Sequence, residues 1–112
     1  MALDIKVSEL KRVTLFEISG RIDSTNADQL GEALNTAIDS GRTQIVLDVS
    51  AVEYMSSAGL REMVAALKRV KRGSGDVRLA NPSERVKEVL ELAGLDTIFE
   101  VFDSQVEAVG SF

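Results

Sequence analysis

At 112 residues, with 45% apolar and 28% charged side chains, the chain has the composition of an ordinary soluble globule, large enough to bury a core without staples. Eighteen acidic against thirteen basic residues leave a net charge of −5, which argues against nonspecific nucleic-acid binding but leaves a protein partner of opposite charge open. The absence of cysteine and histidine excludes disulfides and thiol chemistry, and removes the usual zinc ligand, general base and near-neutral proton switch.

In chain order, Leu3, Ile5 and Val7 alternate with Asp4, Lys6 and Ser8, which predicts a half-exposed edge strand over residues 3–8. The same opening stretch lacks the basic and apolar regions of a signal peptide, and no apolar run approaches a membrane span, so a cytosolic location is the simplest expectation. Residues 9–12 read as a turn and Val13–Ser19 as a second strand, together a hairpin. Ser24, Thr25 and Asn26 are all good N-caps, and Asn26 and Gln29 have capping-box spacing. Leu30, Leu34, Ala37 and Ile38 then mark the inward stripe of a helix over about residues 26–39, closed by Ser40-Gly41.

Ile45, Val46, Leu47 and Val49 form a nearly unbroken apolar run around a single charge, Asp48, as in a strand buried on both faces. A short loop through Tyr54 and Met55 is expected to follow. Leu60, Met63, Val64, Leu67 and Val70 then recur at helical spacing, so a helix begins near Ser56 or Ser57. A serine there can accept a hydrogen bond from a free backbone N–H of the first turn, and the small residues Ala58 and Gly59 keep the surface open. Helix starts also suit phosphate, so a phosphoryl group on Ser57 would add about −2 charge without unfolding the helix. From local chemistry alone, plain capping is the simpler account of both serines.

Gly73-Ser74-Gly75 reads as a helix exit, because the lysine and spacing of a phosphate loop are missing. Val77 and Leu79 mark a short strand. Asn81-Pro82-Ser83-Glu84 reads as a helix start with Asn81 as cap and proline at the first position. The stripe of Val86, Val89, Leu90 and Ala93 follows, ended by Gly94. Ile98–Phe102 is apolar enough for a last strand or extended segment. Ser104 and Glu107 form a capping box for a short terminal helix that Val106 and Val109 could dock, with frayed final residues. Asp48 and Glu53, with no histidine, are a weak metal pair, and a solvated or hydrogen-bonded strand-end role is the better account. The order ββαβαβαβα predicts an α/β fold in one domain over residues 1–112: a mixed, mostly parallel sheet of four to five strands with about four helices and one antiparallel edge strand.

Three stretches, SGRIDSTNADQL, IVLDVSAVEYMSSAGLREMV and LANPSERVKEVLELAGLDTIFEVF, resemble the STAS domain, and within it the stand-alone anti-sigma factor antagonists of bacteria. The likeness is nearly full-length and implies a STAS-like fold. It also implies a partner switch in which the unphosphorylated domain binds an anti-sigma factor that is itself a serine kinase, freeing a sigma factor for transcription. That kinase phosphorylates the serine at the helix start, and a metal-dependent serine/threonine phosphatase restores the active form. The resemblance maps the phosphorylated position onto Ser57, with Ser56 as the second candidate, and the family's loop aspartate onto Asp23. The implied docking surface comprises Asp23, Ser24, Tyr54, Met55, Ser56, Ala58, Gly59 and Arg61, whereas Leu60, on the inward stripe, is expected in the core. On local evidence Asp23 reads as a turn or cap residue. No catalytic residue, cofactor, metal, nucleic acid or membrane insertion is implied.

One position departs from the family form. The residue before the acceptor is usually aspartate and here is Ser56, which removes a negative neighbour and sets two hydroxyls side by side. A STAS accessory or scaffold subunit, in a stress-signalling assembly or beside a membrane transporter, is the alternative function. A small enzyme is disfavoured because no nucleophile–base pair can be assembled without histidine or cysteine. No specific nucleotide motif is present.

Overall fold

A computed structural model describes residues 3–112. Its elements are β1 (Asp4–Leu10), β2 (Val13–Ile22), α1 (Ala27–Asp39), β3 (Gln44–Met55), α2 (Ser57–Lys71), β4 (Asp76–Ala80), α3 (Glu84–Leu92), β5 (Val101–Phe102) and α4 (Gln105–Gly110). A single 3-10 turn, Leu95–Thr97, lies between α3 and β5. The five strands form one sheet in the order β1-β2-β3-β4-β5. β1 runs antiparallel to β2 and every other pair is parallel, so the expected mixed, mostly parallel α/β architecture is the one observed.

Alternation along the strands sorts the core into two layers. Phe16, Ile18, Ile45, Leu47, Val77 and Leu79 face α1, α2 and α3, and meet Leu30, Leu34, Met63, Leu67, Val86 and Leu90 in the main cluster. Val13, Leu15, Val46 and Ala80 point the other way and are covered by Ala108 and Val109 of α4 with Phe102 and Phe112. α4 covers one end of that second face. Beyond it the face carries Glu17, Ser19 and Ser50 and is open.

Several boundaries differ from the expectations above. β1 continues through Leu10, so the turn contracts to Lys11-Arg12, with Lys11 at φ 61. There is no loop between the central strand and α2: β3 extends unbroken to Met55, because the end of β2 stays paired with it through Ile22. The register shifts between Glu17 and Ser19 and again between Gly20 and Arg21, where Gly20 takes φ 97, a conformation glycine adopts without steric cost. The cap of α3 is Ser83, not Asn81. Asn81 sits at φ 49 and donates its N–H to the Phe102 carbonyl, whereas Ser83 Oγ both accepts from Val86 N–H at 3.3 Å and donates to the Val52 carbonyl at 2.8 Å. β5 is only two residues long, since the chain is still turning at Ile98 and Phe99, whose N–H groups both donate to the Leu95 carbonyl.

Ser104 does cap α4, accepting from Glu107 N–H at 3.2 Å. Val106, however, is 82% exposed and docks nothing. On so short a helix it points away from the sheet, and Ala108 and Val109 make the contact. At the end of the chain the Arg78 guanidinium lies 4.0 Å from the Phe112 ring centre, a cation–π contact.

Candidate functional site

The C-terminal ends of β2 and β3 lie side by side, with Arg21 opposite Tyr54 and Ile22 opposite Met55. Ser56 N–H then donates to the Ile22 carbonyl at 2.8 Å. That bond joins the loop entering α1 to the start of α2, so Asp23 and Ser57 each stand one residue beyond it. Two segments far apart in sequence thus form one corner of the molecule.

The adjacent hydroxyls differ in role. Ser56 has extended backbone angles, φ −82 and ψ 167, and its Oγ accepts the Gly59 N–H at 3.2 Å, satisfying a free donor of the first turn. Ser57 is the first residue of α2 and is exposed. Among the described residues no hydrogen bond occupies its hydroxyl, so capping and display are divided between neighbours.

Beneath them lies a tight floor. Gly59 is buried, and a Cβ there would stand 2.6 Å from Met55 Sδ and 2.7 Å from Ile22 Cγ2. Glycine therefore lets α2 sit directly on the strand ends. Met55 is 2% exposed and Leu60 7%. Met55 and Gly59, expected at the docking surface, are instead the packed support of Ser57, because the first turn of α2 presses them onto Ile22. Leu60 lies in the core as its place on the stripe implies.

The surface of the corner is formed by exposed Ser24, Ser57 and Arg61 with half-buried Asp23, Tyr54, Ser56 and Ala58. Asp23 organises its own turn. Its Oδ1 accepts the Thr25 hydroxyl and the Thr25 N–H, the latter at 2.9 Å, which holds the carboxyl below the usual aspartate range. Asp23 N–H donates to Asn26 Oδ1 at 2.9 Å, and Asn26 Nδ2 donates to the Arg21 carbonyl at 2.9 Å. Asn26 is thus at the N-cap position of α1 without capping it. Its amide is turned back into the loop, so the capping box with Gln29 does not form.

Sequence reasoning missed Arg21. Its guanidinium lies 4.6 Å from the Tyr54 ring centre, a cation–π contact across two strands that places a positive charge at the edge of the corner. The signal would have been the strand register, which no local pattern contains. Asp48, considered as a metal ligand, is 9% exposed. It accepts the Ser50 N–H at 3.0 Å and the amide of Gln105, which also donates to Glu17 at 3.0 Å. Glu53 is exposed and takes no part in that arrangement. The carboxylates of Asp48 and Glu17 anchor the start of α4 and lie apart from the Ser57 corner.

Residues 4–108 match the STAS domain family model. A Bordetella bronchiseptica protein, provisionally named the anti-sigma factor antagonist BtrV, is 35% identical over 95 residues, which cover 85% of this chain and 82% of that one. The crystal structure of an anti-sigma factor antagonist from Mycobacterium paratuberculosis superposes with a TM-score of 0.89 at 24% identity, covering 98% of this chain and 93% of that one. The Bacillus cell fate determinant SpoIIAA, solved in its phosphorylated form, superposes with a TM-score of 0.78 at 21% identity, covering 96% and 98%. These two structural likenesses bear on the fold alone.

Proposed function

Since the chain belongs to the STAS domain family, we propose that it is an anti-sigma factor antagonist, acting by binding rather than by catalysis, and that the corner built from Asp23 and Ser57 is where its partner docks. The name of the Bordetella bronchiseptica relative supports this reading. The partner is an anti-sigma factor that is also a serine kinase. It modifies Ser57 and so releases itself, and a metal-dependent serine/threonine phosphatase reverses the step, all in the cytosol. Ser24, Tyr54, Ser56, Ala58 and Arg61 contribute the contact surface around the acceptor, with Met55 and Gly59 beneath it.

The observation that carries this reading is the division of roles at the helix start. Ser56 holds the cap, and Ser57 is exposed with no hydrogen bond to its hydroxyl among the described residues. The family's usual aspartate at position 56 is thereby replaced by a side chain that can still cap, so the acceptor is left available. A phosphate on Ser57 meets the N-terminal end of α2, where its charge is tolerated. A partner seated on the same corner must desolvate or exclude that dianion, at a cost on the order of 2–5 kcal/mol, which weakens binding by about thirtyfold to a few thousandfold.

The test is binding to the cognate anti-sigma factor with and without ATP. Wild type should bind and be released by ATP, Ser57→Ala should bind and resist release, and Ser57→Asp should bind weakly. Equal binding by all three would remove Ser57 from the switch. A Ser56→Ala variant that behaves as wild type in release identifies Ser57 as the acceptor. Release lost in Ser56→Ala would transfer the role to Ser56.

A further inference from the structure

The outward side of α2 continues the corner along the whole helix. Counting from Ser57, positions i+4, i+8, i+11 and i+15 are Arg61, Ala65, Lys68 and Arg72, which fall on one side of a 3.6-residue helix. All are exposed. Among the described residues none of the three cations has a carboxylate within salt-bridge distance, although the chain as a whole is acidic at −5. Their basic neighbours are committed elsewhere. Arg69 bonds Asn35 and Asp39 of α1 at 2.7 and 2.9 Å, and Lys71 pairs with Asp76 at 3.4 Å. The nearest acid on the helix, Glu62, has its carboxylate turned onto Gly31 of α1, where a Cβ would collide with it.

Beside this stripe runs a groove of about 670 Å³ that begins at Ser57. Its apolar wall is Leu60, Val64, Ala93 and Leu95, so the second side comes from the exit of α3; Arg61 and Lys68 stand along it, and Glu62 borders it with its carboxylate on the α1 side. The groove borders α2 from Ser57 to Lys68, and the row of cations beside it continues to Arg72, about 22 Å from Ser57 along the helix.

We propose that this face of α2 receives an acidic segment of the anti-sigma factor carrying apolar anchors, so that docking runs the length of α2 instead of stopping at its first turn. The proposal rests on the function given above and names which chemistry of the partner it requires. Charge complementarity selects an acidic occupant, and the apolar wall favours a protein segment over a nucleic-acid backbone. It also assigns Arg61 a part in release. Arg61 lies one helical turn from Ser57, at the spacing where side chains on a helix meet, so a phosphate there competes for the first cation of the stripe.

Affinity for the cognate anti-sigma factor, measured with the full chain at about 50 mM and about 0.5 M salt, tests this. Lys68→Glu/Arg72→Glu should weaken binding by about tenfold or more at low salt and by less than about threefold at high salt. Lys68→Gln/Arg72→Gln, which sets no acid against the C-terminal end of α2, should fall between it and wild type. The double reversal Arg85→Glu/Lys87→Glu on α3, with the same change in net charge, should bind as wild type. If the α2 variants keep wild-type affinity and salt slope while Ser57→Asp still abolishes binding, the stripe is excluded and the switch survives. Equal losses from the α2 and α3 reversals would reduce the effect to net charge and overturn the proposal. So would wild-type binding of a short DNA duplex through the same cations. No binding by wild type would remove the switch and the stripe together.

Discussion

Ser56 and Ser57 are chemically identical and adjacent, yet opposite effects on stability and signalling are expected from them. Removing the Ser56 hydroxyl leaves the Gly59 N–H without its partner, so Ser56→Ala should destabilise the fold by about 1 kcal/mol. Ser57→Ala removes an exposed hydroxyl with no hydrogen-bond partner among the described residues and should change stability by less than about 0.5 kcal/mol. Urea unfolding of both variants measures the contrast, and a larger loss from Ser57→Ala would mean that the cap has been misassigned. At Asp23, hydrogen bonds from Thr25 lower the carboxyl pKa in the folded protein. The resulting stabilisation is fully present above the unfolded value, about 3.9, and is lost as pH falls through the lower folded value. Thr25→Val should therefore raise the Asp23 pKa toward the usual range in a carbon-detected NMR titration, and reduce stability only above that pH. An unchanged titration would show that the Thr25 hydroxyl does not hold the carboxylate, leaving the role to the backbone N–H that valine keeps.

At the scale of elements, the decisive contact is α2 seated on the ends of β2 and β3. Gly59→Ala would put a methyl group into Met55 and Ile22. Met55 can swing aside but Ile22, branched and fully buried, cannot, so a loss of about 1–3 kcal/mol is expected in thermal or chemical unfolding. A neutral Gly59→Ala would mean that α2 rides higher on the sheet. Here too lies the limit of what a linear reading provides. The helix stripes and α4 cap were legible, because periodicity and capping are local. The length of β3 was not: Ser50, Ala51 and Glu53 are exposed and look like loop residues, and only continued pairing with β2 keeps them in a strand. Asn81 read as the cap of α3, and Ser83 takes that place. Bonding to Phe102 and Val52, partners far along the chain, decided between them. The site divided in the same way. Asp23 and Ser57 carry recognisable motifs, whereas the Arg21–Tyr54 stack exists only through strand register.

For the molecule as a whole, the proposed switch requires a corner whose charge changes while its shape persists. A chain carrying Ser57→Asp should give a nitrogen–proton NMR spectrum with shifts confined to the first turns of α1 and α2, and a melting temperature within a few degrees of wild type. Widespread shifts would mean that a charge at position 57 acts by loosening the fold. The sheet also has a property unrelated to regulation. Its strands lie in space in the order in which they occur in the chain, so no strand must be inserted between two that have already paired. Synthesis on the ribosome can therefore extend the sheet from one edge to the other as residues emerge. Once Ala80 has left the exit tunnel, four of the five strands and both helices that frame Ser57 are available, while α3, β5 and α4 are still held inside it. Nascent chains cut after β4 and tethered beyond the exit tunnel by an unstructured linker should already protect the backbone amides of Ile45–Val49 from exchange.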